Sequence, residues 1–185
     1  MGTLILIALI VIVVAAIGLY NSLVRRRNRV DQAYSGIDVQ LVQRYDLIPK
    51  LVETVRQYMG HERSVLEDIV RLRSEAMNST TPADKMRANS ELSNALGQLR
   101  VQVENYPDLK ASQNFVQLQR ALNEVEEQLA AARRSYNGAV TDYNNAVQTF
   151  PASLLAPAMG FGTRQLYVAE EQKRSDVDMR ALFKA

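Results

Sequence analysis

The chain opens with a long run of uncharged residues. From Met1 to Val24 no side chain carries a charge, and residues 4–19 are Leu, Ile, Val, Ala and one Gly. A membrane-spanning helix needs about 20 predominantly apolar residues. The pattern therefore predicts a transmembrane anchor over residues 1–24. The alternative is a cleaved signal peptide, but basic residues normally precede the apolar run of such a peptide and here they follow it.

Polar and basic residues mark the end of this run. Tyr20 is of the type that gathers at the membrane–water boundary, and four arginines follow, Arg25, Arg26, Arg27 and Arg29. By the positive-inside rule they predict a single-pass protein of the inner, cytoplasmic membrane with its N-terminus outside and its C-terminus inside. The arginines serve either topology alone or, in addition, attraction to anionic lipid headgroups.

Beyond the anchor, apolar residues recur at the three-and-four spacing of one helical face. Asp46, a good N-cap residue, and Pro49 predict a break near residues 45–49 and a second helix over about 51–72. Thr81 and Pro82 predict the start of a third helix, which should end before Pro107.

The fourth helical segment has the most regular pattern. An uncharged stripe follows alternating steps of three and four: Phe115, Leu118, Leu122, Val125, Leu129, Ala132, Tyr136, Ala139, Tyr143, Ala146 and Phe150. A strict 3.5-residue period is typical of a coiled-coil-like seam. It also explains why Tyr-Asn-any-Ala-Val occurs twice, seven residues apart: the two copies are successive heptads. Asn137 and Asn144 lie beside the stripe, where an amide can bond to a neighbouring helix or to water.

These segments predict an all-α protein with three parts. A transmembrane helix (1–24) precedes an up-and-down four-helix bundle of long helices (25–151). Residues 152–185, which contain prolines and glycines followed by a charged end, are expected to be irregular, to pack back on the bundle in part, and to be partly mobile.

The residue types exclude several kinds of chemistry. The chain has no cysteine and one histidine, His61. His61-Glu62 resembles the start of a zinc-protease helix but lacks the second histidine. Glu124, Glu126 and Glu127 are expected on the flanks and solvent face of their helix, whereas metal sites in bundles use the inward face. We expect no catalytic residues, no metal and no cofactor, and a net charge of +2 gives no indication of nucleic-acid binding.

Two predicted turns offer a candidate docking surface. Counting helices upward from the membrane places Tyr45 and Asp46 at the same distal tip as Tyr106, Pro107 and Asp108. Aromatic and acidic residues at an exposed tip could bind a protein, although ordinary turn chemistry explains the same residues.

Several stretches, in this order and spacing, resemble the LemA family. They are "YNSLV" with the following "RN", "DVQLVQRYDLIPKLVETVRQYMGHE", "ENYPDLKASQNFVQLQ" and "LNEVEEQLAAARRSYNGAVTDYNNAVQTFP", which together cover most of residues 20–151. The resemblance implies one N-terminal membrane helix followed by a four-helix bundle, and it implies no defined activity. Because family members are often encoded near membrane metalloproteases and other envelope proteins, it suggests an envelope-associated role. The chain departs from the family pattern at residues 167–169.

The sequence therefore favours a non-enzymatic, membrane-anchored scaffold or adaptor. Its expected partners are membrane lipids and an unidentified membrane or envelope protein, with homo-oligomers as a further possibility. The alternative is a self-assembling protein that organises or remodels membranes, for which apolar residues outside the stripes would form the contact: Val39, Val42, Val101 and Val116. An enzyme that uses the acidic tip is the competitor from another class, and it lacks a histidine pair or inward carboxylates.

Overall fold

The computed structural model describes residues 1–59 and 63–167. This part of the chain is mostly helical and contains no strand. The helices are α1 (Gly2–Arg56), α2 (Arg63–Asn78), α3 (Pro82–Val103), α4 (Pro107–Ala111), α5 (Gln113–Gln148) and α6 (Ala152–Leu155). His61 and Glu62, where we expected no zinc site, and residues 168–185, which we expected to be partly mobile, lie outside the described residues.

Helix α1 begins with the apolar run and is long enough to cross a membrane. An 18-residue window within it has a mean hydropathy of 3.0, and none of that window is buried. The helix then continues for more than thirty residues beyond Val24. The apolar run and the first packed segment of the protein are therefore one continuous helix.

The predicted break at residues 45–49 is wrong. Helix α1 continues through Pro49 to Arg56, so Asp46 caps nothing and the helix after the predicted break does not exist as a separate element. Pro49 has no N–H to donate to the carbonyl of Tyr45, four residues earlier. That carbonyl instead accepts a 2.7 Å hydrogen bond from Nε of Arg73, on α2. The chain leaves α1 only after Arg56, where bonds of the tighter i→i+3 type close the last turn.

The predicted start of the third helix is confirmed. Thr81 has an extended backbone, and its Oγ1 accepts a 3.1 Å hydrogen bond from the N–H of Asp84. This bond satisfies one of the donors that the first turn of a helix leaves free. At the other end, Tyr106 is non-helical and Pro107 begins α4, as expected for the residue before a proline.

Helix α5 has the predicted length of 36 residues, about 54 Å at 1.5 Å per residue. The positions of its stripe from Phe115 to Ala146 are buried or half-buried. Phe150 is the exception: it lies beyond the end of α5 and is 75 % exposed. Its place on the predicted stripe is wrong because the chain turns at residues 149–151.

The chain divides into two compact units. Unit 1 comprises residues 1–44 and 123–166, and the described part of unit 2 comprises residues 45–59, 63–122 and Tyr167. Unit 1 contains the first part of α1, the second part of α5, and the segment that follows α5. Unit 2 contains the end of α1, all of α2, α3 and α4, and the beginning of α5. In unit 2, α2 packs along α3.

Candidate functional site

In unit 1, α1 and α5 run antiparallel. Nη1 of Arg26 lies 3.5 Å from the carbonyl oxygen of Asp142. The rings of Tyr34 and Tyr136 meet edge to face, with centroids 5.7 Å apart. From the second of these contacts to the first, the six residues toward the C-terminus of α5 correspond to eight residues toward the N-terminus of α1. The end of α5 therefore lies beside the end of the apolar run.

A core of apolar side chains fills this end of unit 1. Its buried members come from α1, α5 and the segment after α5: Leu23, Val30, Val140, Tyr143, Val147, Ala156 and Phe161. Tyr143, the second tyrosine of the repeat, is only 1 % exposed. The heptad explanation of the repeat is confirmed for this tyrosine.

The irregular segment after α6 is held on α5 by bonds from side chains to its backbone. Nδ2 of Asn144 donates to the carbonyl of Arg164, and the N–H of Arg164 donates to Oδ1 of Asn144, both at 2.8 Å. The hydroxyl of Tyr136 donates to the carbonyl of Gln165 at 3.0 Å. Asn144 thus makes the two bonds that a neighbouring β-strand would make to one residue. The Tyr-Asn repeat supplies both the core and the contact to this segment.

Helix α1 contacts the same segment with aromatic and charged side chains. The rings of Tyr20 and Phe161 meet edge to face at 5.5 Å, and the guanidinium of Arg27 lies 5.2 Å above the Phe161 ring. Such cation–π contacts contribute about 0.5–1 kcal/mol at exposed sites. Gly160 has φ +76, a conformation that glycine adopts at no steric cost, and it turns the chain so that Phe161 enters the core.

Five residues were expected at the membrane interface. Two of them, Tyr20 and Arg27, contact Phe161 in the irregular segment after α6, and a third, Arg26, contacts α5. Arg25 and Arg29 are exposed. Sequence patterns gave no sign of these contacts because their partners lie more than a hundred residues away. Partial burial raises the pKa of Tyr136, an effect that Asp31 reinforces and Arg164 opposes, so its hydroxyl remains a donor well above neutral pH.

An ion pair in unit 1 joins a buried arginine to a glutamate at the flank of α5, and the helical pattern did not predict it. Nε of Arg44 lies 2.9 Å from Oε1 of Glu126; the arginine side chain is 1 % exposed and the glutamate side chain 40 % exposed. Glu126 lies on the flank of its helix, as expected, and in addition pairs with a buried charge. Arg44 stands at the three-and-four spacing between Leu41 and Ile48, two buried residues. A charge on an apolar stripe was the signal that could have found it.

In unit 2 the predicted distal tip does not form from Tyr45 and Asp46. Tyr45 is 5 % exposed, and its hydroxyl accepts a 2.8 Å hydrogen bond from Nδ2 of Asn89 on α3. Asn89 lies fourteen residues before Val103, the last residue of α3, a distance of about 21 Å along the helix. Tyr45 is therefore a core residue opposite the middle of α3, and it is wrong to place it with the turn that follows α3.

The other three predicted docking residues do lie at a turn. Tyr106 is half-buried, Pro107 and Asp108 are exposed, and all three belong to the connection through α4. Lys110 bonds Glu104 across this turn. They remain a candidate surface without Tyr45 and Asp46.

Comparison with known proteins gives both a family model and individual relatives. The model of the LemA family matches residues 33–180. Protein LemA of Metamycoplasma hominis is 29 % identical over 170 residues, which cover 90 % of this chain and 76 % of that protein.

Shorter similarities link the chain to two magnetosome proteins. Magnetosome protein MamQ 2 of Paramagnetospirillum magneticum is 34 % identical over 74 residues, and Magnetosome protein MamQ of Magnetospirillum gryphiswaldense is 31 % identical over 74 residues. Each alignment covers 40 % of this chain and 27 % of the other protein. These matches concern about a quarter of the magnetosome proteins.

Proposed function

The chain belongs to the LemA family, and from this premise we propose that it is a membrane-anchored helical protein that acts as an envelope-associated scaffold or adaptor and catalyses no reaction. The observation that carries the proposal is the continuity of α1. One helix contains the exposed apolar run and then supplies packed residues to both units. A helix that continues without interruption from the membrane into the body of the protein suits a scaffold that holds a protein-binding surface at a fixed distance from the bilayer.

The proposal includes a membrane topology and a fold for residues 25–151. The arginines after the apolar run favour a cytoplasmic body and an outside N-terminus in the inner membrane. An up-and-down four-helix bundle is supported by one pairing in each unit: α1 with α5 in unit 1, and α2 with α3 in unit 2. Residues 152–185 would be an appendage to that bundle.

The proposed partners are membrane lipids and an unidentified membrane or envelope protein, and the family resemblance suggests a membrane metalloprotease. The absence of cysteine and the single histidine support a role without catalysis, metal or cofactor. The turn that contains Tyr106, Pro107 and Asp108 is the candidate protein-binding surface.

A second function, self-assembly that organises membranes, is favoured by one observation. Val39, Val42, Val101 and Val116 are all exposed although each is a branched apolar residue within a helix. Val39 and Val42 belong to unit 1, and Val101 and Val116 belong to unit 2. Contacts between copies of the chain would remove the apolar surface of these side chains from water, at about 25 cal/mol per Å².

Crosslinking in intact membranes tests the two functions together. The chain has no cysteine, so a photo-crosslinker attached to a single introduced cysteine reports one position. An adaptor should yield crosslinks to one other protein from Asp108→Cys and none between copies from Val39→Cys. An assembler should yield copy-to-copy products from Val39→Cys. Protease treatment of intact spheroplasts tests the topology, since digestion of residues 30–185 without lysis would reverse it.

A further inference from the structure

We propose that residues 150–155, the turn that joins α5 to α6 together with α6 itself, form a second membrane-contact element, which inserts the side chains of Phe150, Leu154 and Leu155 into the bilayer interface beside the anchor. This proposal rests on the proposed function, because it requires that α1 crosses a membrane. The ligand is the lipid surface itself, at the boundary between acyl chains and headgroups.

The first argument is the height of the turn along α1. Asp142 lies opposite Arg26, and Tyr136 lies opposite Tyr34. Continuing this antiparallel arrangement places residue 148, the last of α5, opposite residues 18–22 of α1. The same core contains Leu23 and Val147, and Leu19 packs against it. Phe150 therefore begins a turn at the level where the apolar run of α1 ends.

The second argument is the apolar surface of this turn. Phe150, Leu154 and Leu155 are 75 %, 70 % and 40 % exposed. Ala152, which lies between Phe150 and Leu154, and Ala156, which follows Leu155, are buried, so small residues face the protein and large residues face outward. This is the reverse of the order expected for a turn in water, and it suits a turn whose outer side meets lipid.

The third argument is the distribution of charge. No residue from Tyr143 to Thr163 is charged, a run of twenty-one residues in a chain in which 23 % of residues are charged. Charged side chains are costly at membrane depth and are excluded from it unless they reach the headgroups. On α1, the charges that follow the apolar run begin at Arg25, and the guanidinium of Arg27 lies over the ring of Phe161. An uncharged segment therefore packs at the level where the uncharged run of α1 gives way to arginines.

The dimensions agree with an interfacial position. The headgroup layer on each side of the hydrocarbon core is about 5–8 Å thick. If Tyr20 marks the edge of the hydrocarbon, Arg25 lies about 7.5 Å above it along the helix. Side chains at the level of residues 18–22 then reach the upper acyl chains, as the apolar faces of interfacial helices do.

Lipid quenching of the full chain in bilayers tests this proposal. An environment-sensitive fluorophore is attached to Leu154→Cys or Phe150→Cys in the chain, which has no other cysteine. The bilayer carries lipids with a nitroxide quencher on the acyl chain, near the headgroup in one sample and near the end of the chain in a second sample, which reports positions at the bilayer centre. Val39→Cys is the matched control: this exposed aliphatic residue lies in the same unit, nineteen residues beyond Tyr20 or about 28 Å along α1. Val11→Cys, within the apolar run, reports the anchor.

The proposal expects several-fold greater quenching at positions 154 and 150 than at position 39. If position 11 is quenched while positions 154 and 150 match position 39, the membrane-contact element is wrong and the anchor stands. If position 11 is not quenched, the anchor is wrong and this inference falls with it. A blue-shifted fluorophore at position 154 without lipid quenching means that protein, such as another copy, covers the turn, and it also overturns the proposal.

Discussion

In unit 1, polar side chains of a regular helix bond to the backbone of an irregular segment, whereas in unit 2 a polar side chain bonds to the backbone of a helix that contains proline. Asn144 and Tyr136 hold residues 164 and 165 on α5. In unit 2, Arg73 donates a hydrogen bond to the carbonyl of Tyr45, which has no N–H partner within α1 because residue 49 is proline. In both units, distant side chains supply the hydrogen bonds that the local backbone cannot make.

The difference lies in what each bond makes possible. In unit 1 the bonds position Phe161 and the segment around it at the end of the apolar run. In unit 2 the bond gives the Tyr45 carbonyl a donor where Pro49 has none, and α1 remains one helix through the proline. Unit 1 therefore uses polar bonds to attach a segment without regular structure, and unit 2 uses one to preserve a helix.

The largest expected effect is a cavity in unit 1. Tyr143→Ala should destabilise the protein by about 3–5 kcal/mol, as large-to-small aromatic changes in cores do. Tyr136→Ala should cost less because Tyr136 is only half-buried. Chemical unfolding of the full chain in detergent micelles, followed by near-ultraviolet circular dichroism of tyrosine, measures both.

Val39→Ala is the control for these changes, since Val39 is an exposed residue of the same unit and should change stability by less than about 0.5 kcal/mol. If Tyr143→Ala has the same free energy of unfolding as the parent, the stripe of α5 does not stabilise unit 1.

The next effect concerns the ion pair of Arg44 in unit 1. Glu126→Ala removes the carboxylate beside the buried guanidinium of Arg44 and should cost about 1–3 kcal/mol. Replacing both residues by leucine should be close to neutral or stabilising, because a buried pair stabilises little relative to apolar side chains. The same unfolding assay measures both variants. Equal losses for the single and double variants would show that the guanidinium does not depend on this carboxylate.

A comparable effect is expected in unit 2 from loss of the hydrogen bond between Arg73 and the Tyr45 carbonyl. Arg73→Met should cost about 1–3 kcal/mol, because it leaves the Tyr45 carbonyl without this donor. In a Pro49→Ala background the N–H of residue 49 can bond that carbonyl, so Arg73→Met should then cost less than about 0.5 kcal/mol. Additive effects of the two changes would mean that the arginine acts elsewhere.

Features that repeat locally were predictable from the sequence. The stripe of α5 follows from its period, the start of α3 from Thr81 and Pro82, and the apolar run of α1 from composition. The break at residues 45–49 was wrongly predicted because Pro49 and Asp46 are strong local signals, while the compensating Arg73 is distant in sequence. Tyr45 was placed at an exposed tip for the same reason, although its position beside Leu41 and Ile48 indicated burial.

The candidate site was less predictable than the fold. Tyr20 and Arg27 were identified for the membrane boundary, but nothing local indicates that they contact Phe161. Asn144 was placed beside the stripe, where it could bond to a helix or to water. Its actual partner is the backbone of Arg164, and backbone groups carry no signature of their partner in the sequence. Side chain-to-backbone contacts between distant segments therefore require the structure.

The smallest effect is local and concerns the segment that Asn144 holds. Asn144→Ala removes two hydrogen bonds at a half-buried position, which should cost about 0.5–1.5 kcal/mol. Because Asn144 bonds directly to the backbone of Arg164, the loss should appear as faster amide hydrogen exchange at Arg164 before it changes global unfolding. Asn145→Ala is the matched control, since Asn145 is the next residue of the same helix and is exposed. Unchanged exchange at Arg164 in Asn144→Ala, with the same rate in Asn145→Ala, would show that packing of Phe161 alone holds the segment. Unit 1 would then attach its irregular segment by apolar packing, whereas unit 2 uses the hydrogen bond from Arg73 to the Tyr45 carbonyl.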